Sequence, residues 1–282
     1  MLISEVTELS SQDRLTYWIR ERESIRLKKE ASDPKPWTDD EILQRYRFCN
    51  VRRMDDKVSQ WLLKNWYDPH FNHPNMLVAC TLARHFNQPK ALLAIGFPEI
   101  WRPERIKQIM RGMKANGERI FNGAYMVRGI GTADKTEMVV DRVCQPLVDN
   151  PPLLDHNSTQ GCVEALLSYW GFSWFMAGQV VADLRWAAVG SWKDRRQWAS
   201  VGPGSRRGMN RLLGRPPKKP MGQDEFLEHL RWVRKTCEQL LDGSITRRLE
   251  AIDYQNCLCE YDKYSRVLLG EGRPKQLYPG RA

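Results

Sequence analysis

The sequence predicts a mostly α protein, one body over residues 1–282 with two helical lobes. Apolar residues recur at three- and four-residue spacing along most of the chain, and helix-start and helix-stop residues flank those runs. No long alternation of apolar and polar residues, the mark of a half-buried strand, occurs. With 282 residues, 41% of them hydrophobic and 11 Trp, 9 Tyr and 8 Phe among them, there is enough apolar surface for a substantial core.

The elements follow in chain order. Thr38-x-x-Glu41 reads as a capping box that opens a helix running to about Phe48. Val58, Trp61, Leu62 and Trp66 fall at helical spacing, as do Met76, Cys80, Ala83 and Phe86. Pro103-Glu104 starts a helix that carries Ile106, Ile109, Met110 and Met113 and ends near Gly117. Further helices are predicted at 136–149, 159–170, 174–187, 205–213, 223–241 and 247–263, and Gly123–Gly131 is the best strand or loop candidate. Pro/Gly-rich loops lie at Asp68–Pro74, Asn150–Pro152, Pro216–Pro220 and Gly270–Pro279, with a lobe boundary expected near 150–158.

A net charge of +10 favours an anionic partner, nucleic acid first. Seven cysteines, an odd number scattered through apolar runs, argue against a disulfide framework and for a reduced cytoplasm. Cys257 and Cys259 are one residue apart, and no histidine clusters with a cysteine, so no metal site is expected. His70-x-x-His73, between Pro69 and Pro74, reads as a loop. Met1–Leu9 lacks the basic start and apolar centre of a signal peptide, and no apolar run approaches the ~20 residues of a membrane span, so a cytoplasmic protein without membrane contact is expected.

Ser200–Gly214 is the most informative stretch. Arg206, Arg207, Arg211 and Arg215 follow a Gly202-Pro203-Gly204 turn that opens a helix within 201–215. Free N–H groups at a helix start, with arginines close by, form a site for phosphate oxygens, here from Gly202, Gly204, Ser205, Arg206, Arg207 and Arg211. Arg45, Arg47, Arg52 and Arg53 form a second basic group; Arg52 and Arg53 either reach phosphates or clamp Asp55 and Asp56. Asn50 can read a base edge. Tyr125 and Arg128, on a glycine-bounded turn, suit stacking on an extruded base, although a core tyrosine fits equally. Asn256, Glu260 and Lys263 share one face of the last helix with Asp262 beside it, either as acid/base groups or as a solvated ion-pair face.

Val201, Arg206, Arg207, Asn210, Arg211 and Leu212 match in register a helix of helix-hairpin-helix DNA glycosylases, with Gly202 where those enzymes carry their catalytic Asp. Within 160–184, Gly171, Phe172, Ala177 and Val180 fall on the positions of the hairpin itself, and Ser173 replaces its second glycine. The resemblance implies a glycosylase-like fold in which the backbone at Gly171 and Ser173 approaches a DNA phosphate. Phe175 stands where bifunctional members hold a lysine nucleophile, which excludes Schiff-base chemistry there. The missing acid is sought at Asp183, Asp194 or Asp56.

Ordered matches from about residue 12 to 280 resemble a second family, the phage and bacterial DNA base hypermodification proteins. They include Pro36-Trp37-Thr38-Asp39-Asp40, Tyr46–Arg53, Phe121-x-Gly123–Gly129, Lys135-Thr136-Glu137, Asn256–Lys263 and Gly270–Pro274. That family includes the helical domain attached to 5-hydroxymethyluracil DNA kinases and the amino acid:DNA transferases. No Gly-x-x-x-x-Gly-Lys-Ser/Thr loop occurs. The partner implied is double-stranded DNA containing modified bases. The leading reading is an N-glycosylase, without a cofactor, that excises a 5-hydroxymethyl-derived pyrimidine, glycosylated or not, in anti-phage defence; the alternatives are an amino acid or polyamine transferase that displaces pyrophosphate, with or without Mg²⁺, and a non-catalytic DNA-binding module.

Overall fold

The structure, a computed structural model, describes residues 3–122, 134–274 and 277. It is mostly helical. Among the described residues there is no strand, only an isolated bridge between Tyr46 and Leu277. The chain divides into two compact units, one of residues 1–56 with 195–282 and the other of residues 57–194. Segment 150–158, read above as a lobe boundary, lies inside the second unit.

The first unit is organised by two long helices, Ser11–Glu30 and Ala251–Leu268. The Ser11–Glu30 helix has no predicted counterpart. It buries Leu15, Tyr17, Trp18, Ile19 and Ile25, but the same side also carries the buried Arg22, Glu23 and Arg26. Charges in the buried face erase the apolar stripe by which a helix is read. Arg26 is kept there by Glu23 at 2.5 Å and Glu30 at 2.6 Å.

The helix expected from Thr38 begins instead at Glu41 and ends at Arg45. Asp40, not Thr38, caps it, accepting from the N–H groups of Ile42 and Leu43 at 2.8 and 2.9 Å. Asp40 also accepts from the hydroxyls of Tyr17 and Tyr264 at 3.2 and 2.5 Å, and so ties three segments together.

Helix Pro203–Leu212 lies along the last helix by way of two glycines. A Cβ on Gly204 would come within 2.2 Å of Cys259 Sγ, and one on Gly208 within 2.0 Å of the Leu258 carbonyl oxygen. The glycine spacing therefore serves backbone-to-backbone packing.

In the second unit, helices Met76–Phe86 and Trp174–Ala187 pack against each other around Tyr67, Cys80, Val180 and Val181. The predicted 136–149 helix is one helical run of three parts, Lys135–Glu137, a wider π-helical stretch Met138–Cys144, and Gln145–Asp149. Pro146 has no N–H to donate, and the register widens just ahead of it. The hairpin is present as Thr159–Leu166, a turn, and Trp174–Ala187. Gly171 holds the turn at φ +89°, with Val143 Cγ2 only 2.7 Å from where a Cβ would sit, so only glycine fits. No helix among the described residues is long and apolar enough to cross a membrane.

Candidate active site

The densest grouping of predicted site residues forms where segment 48–56 meets the last helix. Arg22, 5% exposed, holds the segment: its Nε donates to the Cys49 carbonyl at 3.0 Å and its Nη2 to Asn50 Oδ1 at 2.5 Å. Asn50 Nδ2 donates to the Asp55 carbonyl at 2.5 Å. Both ends of the Asn50 amide are thus engaged within the protein, and the base-edge role read for it is replaced by a bracing one. The Asn50 N–H donates to Asp56 Oδ1 at 2.8 Å. From the helix, Glu260 accepts the Cys49 N–H at 2.9 Å and Lys263 Nζ at 3.0 Å, and Asn256 Nδ2 donates to the Asn50 carbonyl at 3.4 Å.

Asp56 is the carboxylate of this group whose pKa is raised. Burial pushes its pKa up to about 6; the Asn50 N–H and the Arg22 and Arg53 charges pull it down, while Glu260 pushes it further up. It is therefore a carboxylate poised to gain or lose a proton near neutral pH. The neighbouring thiols are inert, because burial drives Cys49 well above its ordinary value and Cys259 up to about 12.

The arginine helix is placed otherwise than expected. Arg207 Nε donates to Asp262 Oδ2 at 2.7 Å and Arg211 Nε to Oδ1 at 2.9 Å, with Asp262 1% exposed. Glu271 takes the far side of the Arg211 guanidinium. Ser205 Oγ, fully buried, accepts from the Gly202 N–H at 3.0 Å and from Gln255 Nε2 at 3.1 Å. Of the phosphate cradle read from Gly202, Gly204, Ser205, Arg207 and Arg211, the two glycines and Ser205 serve helix packing and both arginines pair with Asp262 through Nε. Arg206 is half-buried, with no acid partner among the described residues. Arg53 is buried, and its N–H donates to Asp253 at 2.8 Å; Arg52 stays partly exposed, 3.3 Å from Asp55.

In the second unit, Asp183 has no solvent exposure. It accepts from Tyr67 Oη at 2.6 Å and is clamped by the Arg84 guanidinium. That is a buried structural pair, and the catalytic role read for it gives way to this one. Asp194 caps helix Thr159–Leu166, accepting from the N–H groups of Thr159 and Gln160 at 2.7 and 2.9 Å and from the Ser158 hydroxyl at 3.1 Å. Burial raises its pKa, but these donors outweigh that and hold it below the usual range, unlike a general base near neutrality. Ser173, exposed at the hairpin turn, caps its helix through the Met176 N–H at 3.3 Å. Tyr125 and Arg128 lie outside the described residues.

Among the described residues no group of three His, Cys, Asp or Glu side chains is placed to hold a metal ion. Arg22, which no motif marked, is the residue sequence reasoning missed; it lies in the charged run Arg20-Glu21-Arg22-Glu23, which carries no local signal of burial.

Residues 10–273 match the family described as "5-hmdU DNA kinase, helical domain". The chain belongs to that family. A similar curated protein is the 5-hmdU DNA kinase of Bacillus phage SP10, 29% identical over 202 residues, which cover 62% of this chain and 32% of the phage protein. The chain thus spans about a third of the length of that relative. No solved structure matches. The hypermodification resemblance is confirmed, whereas base excision, hydrolysis and a defence role have no support in the match. The glycosylase reading is corrected accordingly. The fold is confirmed as mostly α, and the glycosylase-like architecture is not carried further.

Proposed function

We propose that this chain acts in the hypermodification of 5-hydroxymethyluracil in double-stranded DNA, as a transferase at the 5-methylene carbon. The family supports modification of that base, and the Asp56 carboxylate, with a pKa of about 6, is the single observation that supports transfer chemistry. A base buried in duplex is extruded first. The amine of an amino acid or polyamine then forms a C–N bond to the methylene, and the C–O bond to a pyrophosphate already installed there breaks. The bonding pair leaves with the pyrophosphate, and the amine's surplus proton passes to Asp56. Asn50 and Arg22 hold that carboxylate in place; the Glu260–Lys263 pair keeps the surroundings polar. Any Mg²⁺ would come with the pyrophosphate oxygens, since the described residues offer no acidic cage.

The test incubates purified protein with duplex DNA carrying pyrophosphorylated 5-hydroxymethyluracil and an amine, then measures pyrophosphate and digested nucleosides by mass spectrometry. A heavier nucleoside and one equivalent of pyrophosphate are expected, with Asp56→Asn slower by ~100-fold. Free base with abasic sites would restore excision. DNA binding without any product would leave a docking module.

A further inference from the structure

The second unit contains a cavity of about 200 Å³ where the loop after helix Pro89–Ile95 meets the start of helix Pro103–Ala115. Ile95, Phe97, Pro98 and Ile106 give it apolar lining, and Arg102 and Arg105 line it as well. Both arginines are exposed, and neither has an acid partner among the described residues. Glu99 also lines the cavity, with its carboxylate 3.4 Å from the His70 ring, and Glu104 pairs with Lys107 at 2.6 Å.

The walls are built rather than loose. Gly96, at φ +72°, turns the chain out of the preceding helix. Asn75 Nδ2 donates to the Pro98 and Glu99 carbonyls at 2.8 and 3.0 Å, and Trp101 Nε1 donates to Gln145 at 2.6 Å. Phe97 is fixed by the His70 ring stacked on it at 3.8 Å. Two guanidiniums beside an apolar wall suit an anion with several acceptor oxygens, such as a phosphoryl group, because the low-polarity side strengthens each charge–charge contact. An inorganic phosphate would leave the apolar wall and most of the volume unused.

We infer that this cavity is a nucleotide-binding site in which Arg102 and Arg105 hold the phosphoryl group and the Phe97–Ile106 wall takes the organic part. The phosphoryl group belongs either to a free mononucleotide or to a nucleotide within a DNA strand. The site is independent of the transfer chemistry proposed above, and its test needs no turnover.

Calorimetric titrations with inorganic phosphate, thymidine 5′-monophosphate and a short DNA duplex provide the test. The mononucleotide is expected to bind at least ~10-fold more tightly than phosphate. Arg102→Gln/Arg105→Gln should weaken it by ~10-fold or more, whereas Arg231→Gln, an exposed charge in the other unit, should change it less than twofold. Ile100→Asp, at an exposed position of the cavity rim, should also weaken it with the melting temperature kept. If DNA alone responds to the Arg102/Arg105 pair, the strand is the source of the nucleotide and the site stands. If neither mononucleotide nor DNA responds, or if phosphate binds as tightly as the mononucleotide, the inference is overturned.

Discussion

Replacing Asp56 by Asn should stabilise the protein, and do so only above the acid range. Asp56 titrates near 6 in the folded protein against 3.8 when exposed to water. Between those values the folded state binds more protons than the unfolded state, so ionising Asp56 costs stability as pH rises through that window. The full cost is about 3 kcal/mol from 1.36 kcal/mol per unit, trimmed toward about 2 by partial solvent access. The amide keeps the acceptor for the Asn50 N–H and has no charge to desolvate. The gain of Asp56→Asn should be close to its floor at pH 3–4, about half developed near pH 5 and complete by pH 7–8. Urea unfolding of both proteins at those pH values measures it, and titrating groups that do not interact with Asp56 cancel in the difference. A gain that is flat with pH, or a loss that grows toward pH 8, would refute the assignment of Asp56 as a destabilised, reactive carboxylate. Stability gained where turnover is lost is the signature expected of a functional acid.

Asp262→Asn should cost about 3–5 kcal/mol, because it leaves Arg207 and Arg211 beside a neutral group in a buried site. If those arginines instead reach DNA, the variant would bind DNA more tightly with its melting temperature intact. Gly208→Ala should destabilise by at least about 1–3 kcal/mol, since its Cβ meets the rigid Leu258 backbone, whereas Gly112→Ala, on an open helix surface, should stabilise by about 0.5–1 kcal/mol; thermal melts of the two decide whether glycine spacing or glycine itself matters. His85 is buried, and burial lowers its pKa to about 4, so the unfolded chain takes up its proton first. The protein should therefore lose up to about 3 kcal/mol as pH falls from 6.5 to 4, a loss that His85→Leu should remove in acid unfolding curves. Asp194→Ala should cost about 1 kcal/mol, and up to about 2, by uncapping helix Thr159–Leu166, with no change in the pH profile of turnover.

Much of the architecture was legible because periodicity and caps act locally. Helix Trp174–Ala187 falls where its spacing and Ser173 place it, and Gln223–Leu240 lies within a residue of expectation. Helix Ser11–Glu30 was not legible, since its buried Arg22, Glu23 and Arg26 are satisfied by partners that a linear pattern does not display. The same limit governs the site. Asp56, Glu260 and Asn256 were each singled out from the sequence, yet nothing local says which acid is capped, clamped or buried with a raised pKa. Arg207 and Arg211 read as phosphate ligands for the same reason: Asp262, their acceptor, is more than 50 residues away in sequence.

The composition of the first unit from both ends of the chain has a consequence for how the protein comes into being. Residues 57–194 are continuous and can begin to fold during synthesis as soon as they are free. The other unit cannot: the Cys49 N–H needs Glu260, the Arg53 N–H needs Asp253, and Asp40 needs Tyr264. Its amino-terminal helices must therefore wait, with Leu15, Trp18 and Ile19 uncovered, until more than 200 further residues have been made. Chaperone dependence and loss of yield on truncating the last helix should fall on this unit alone.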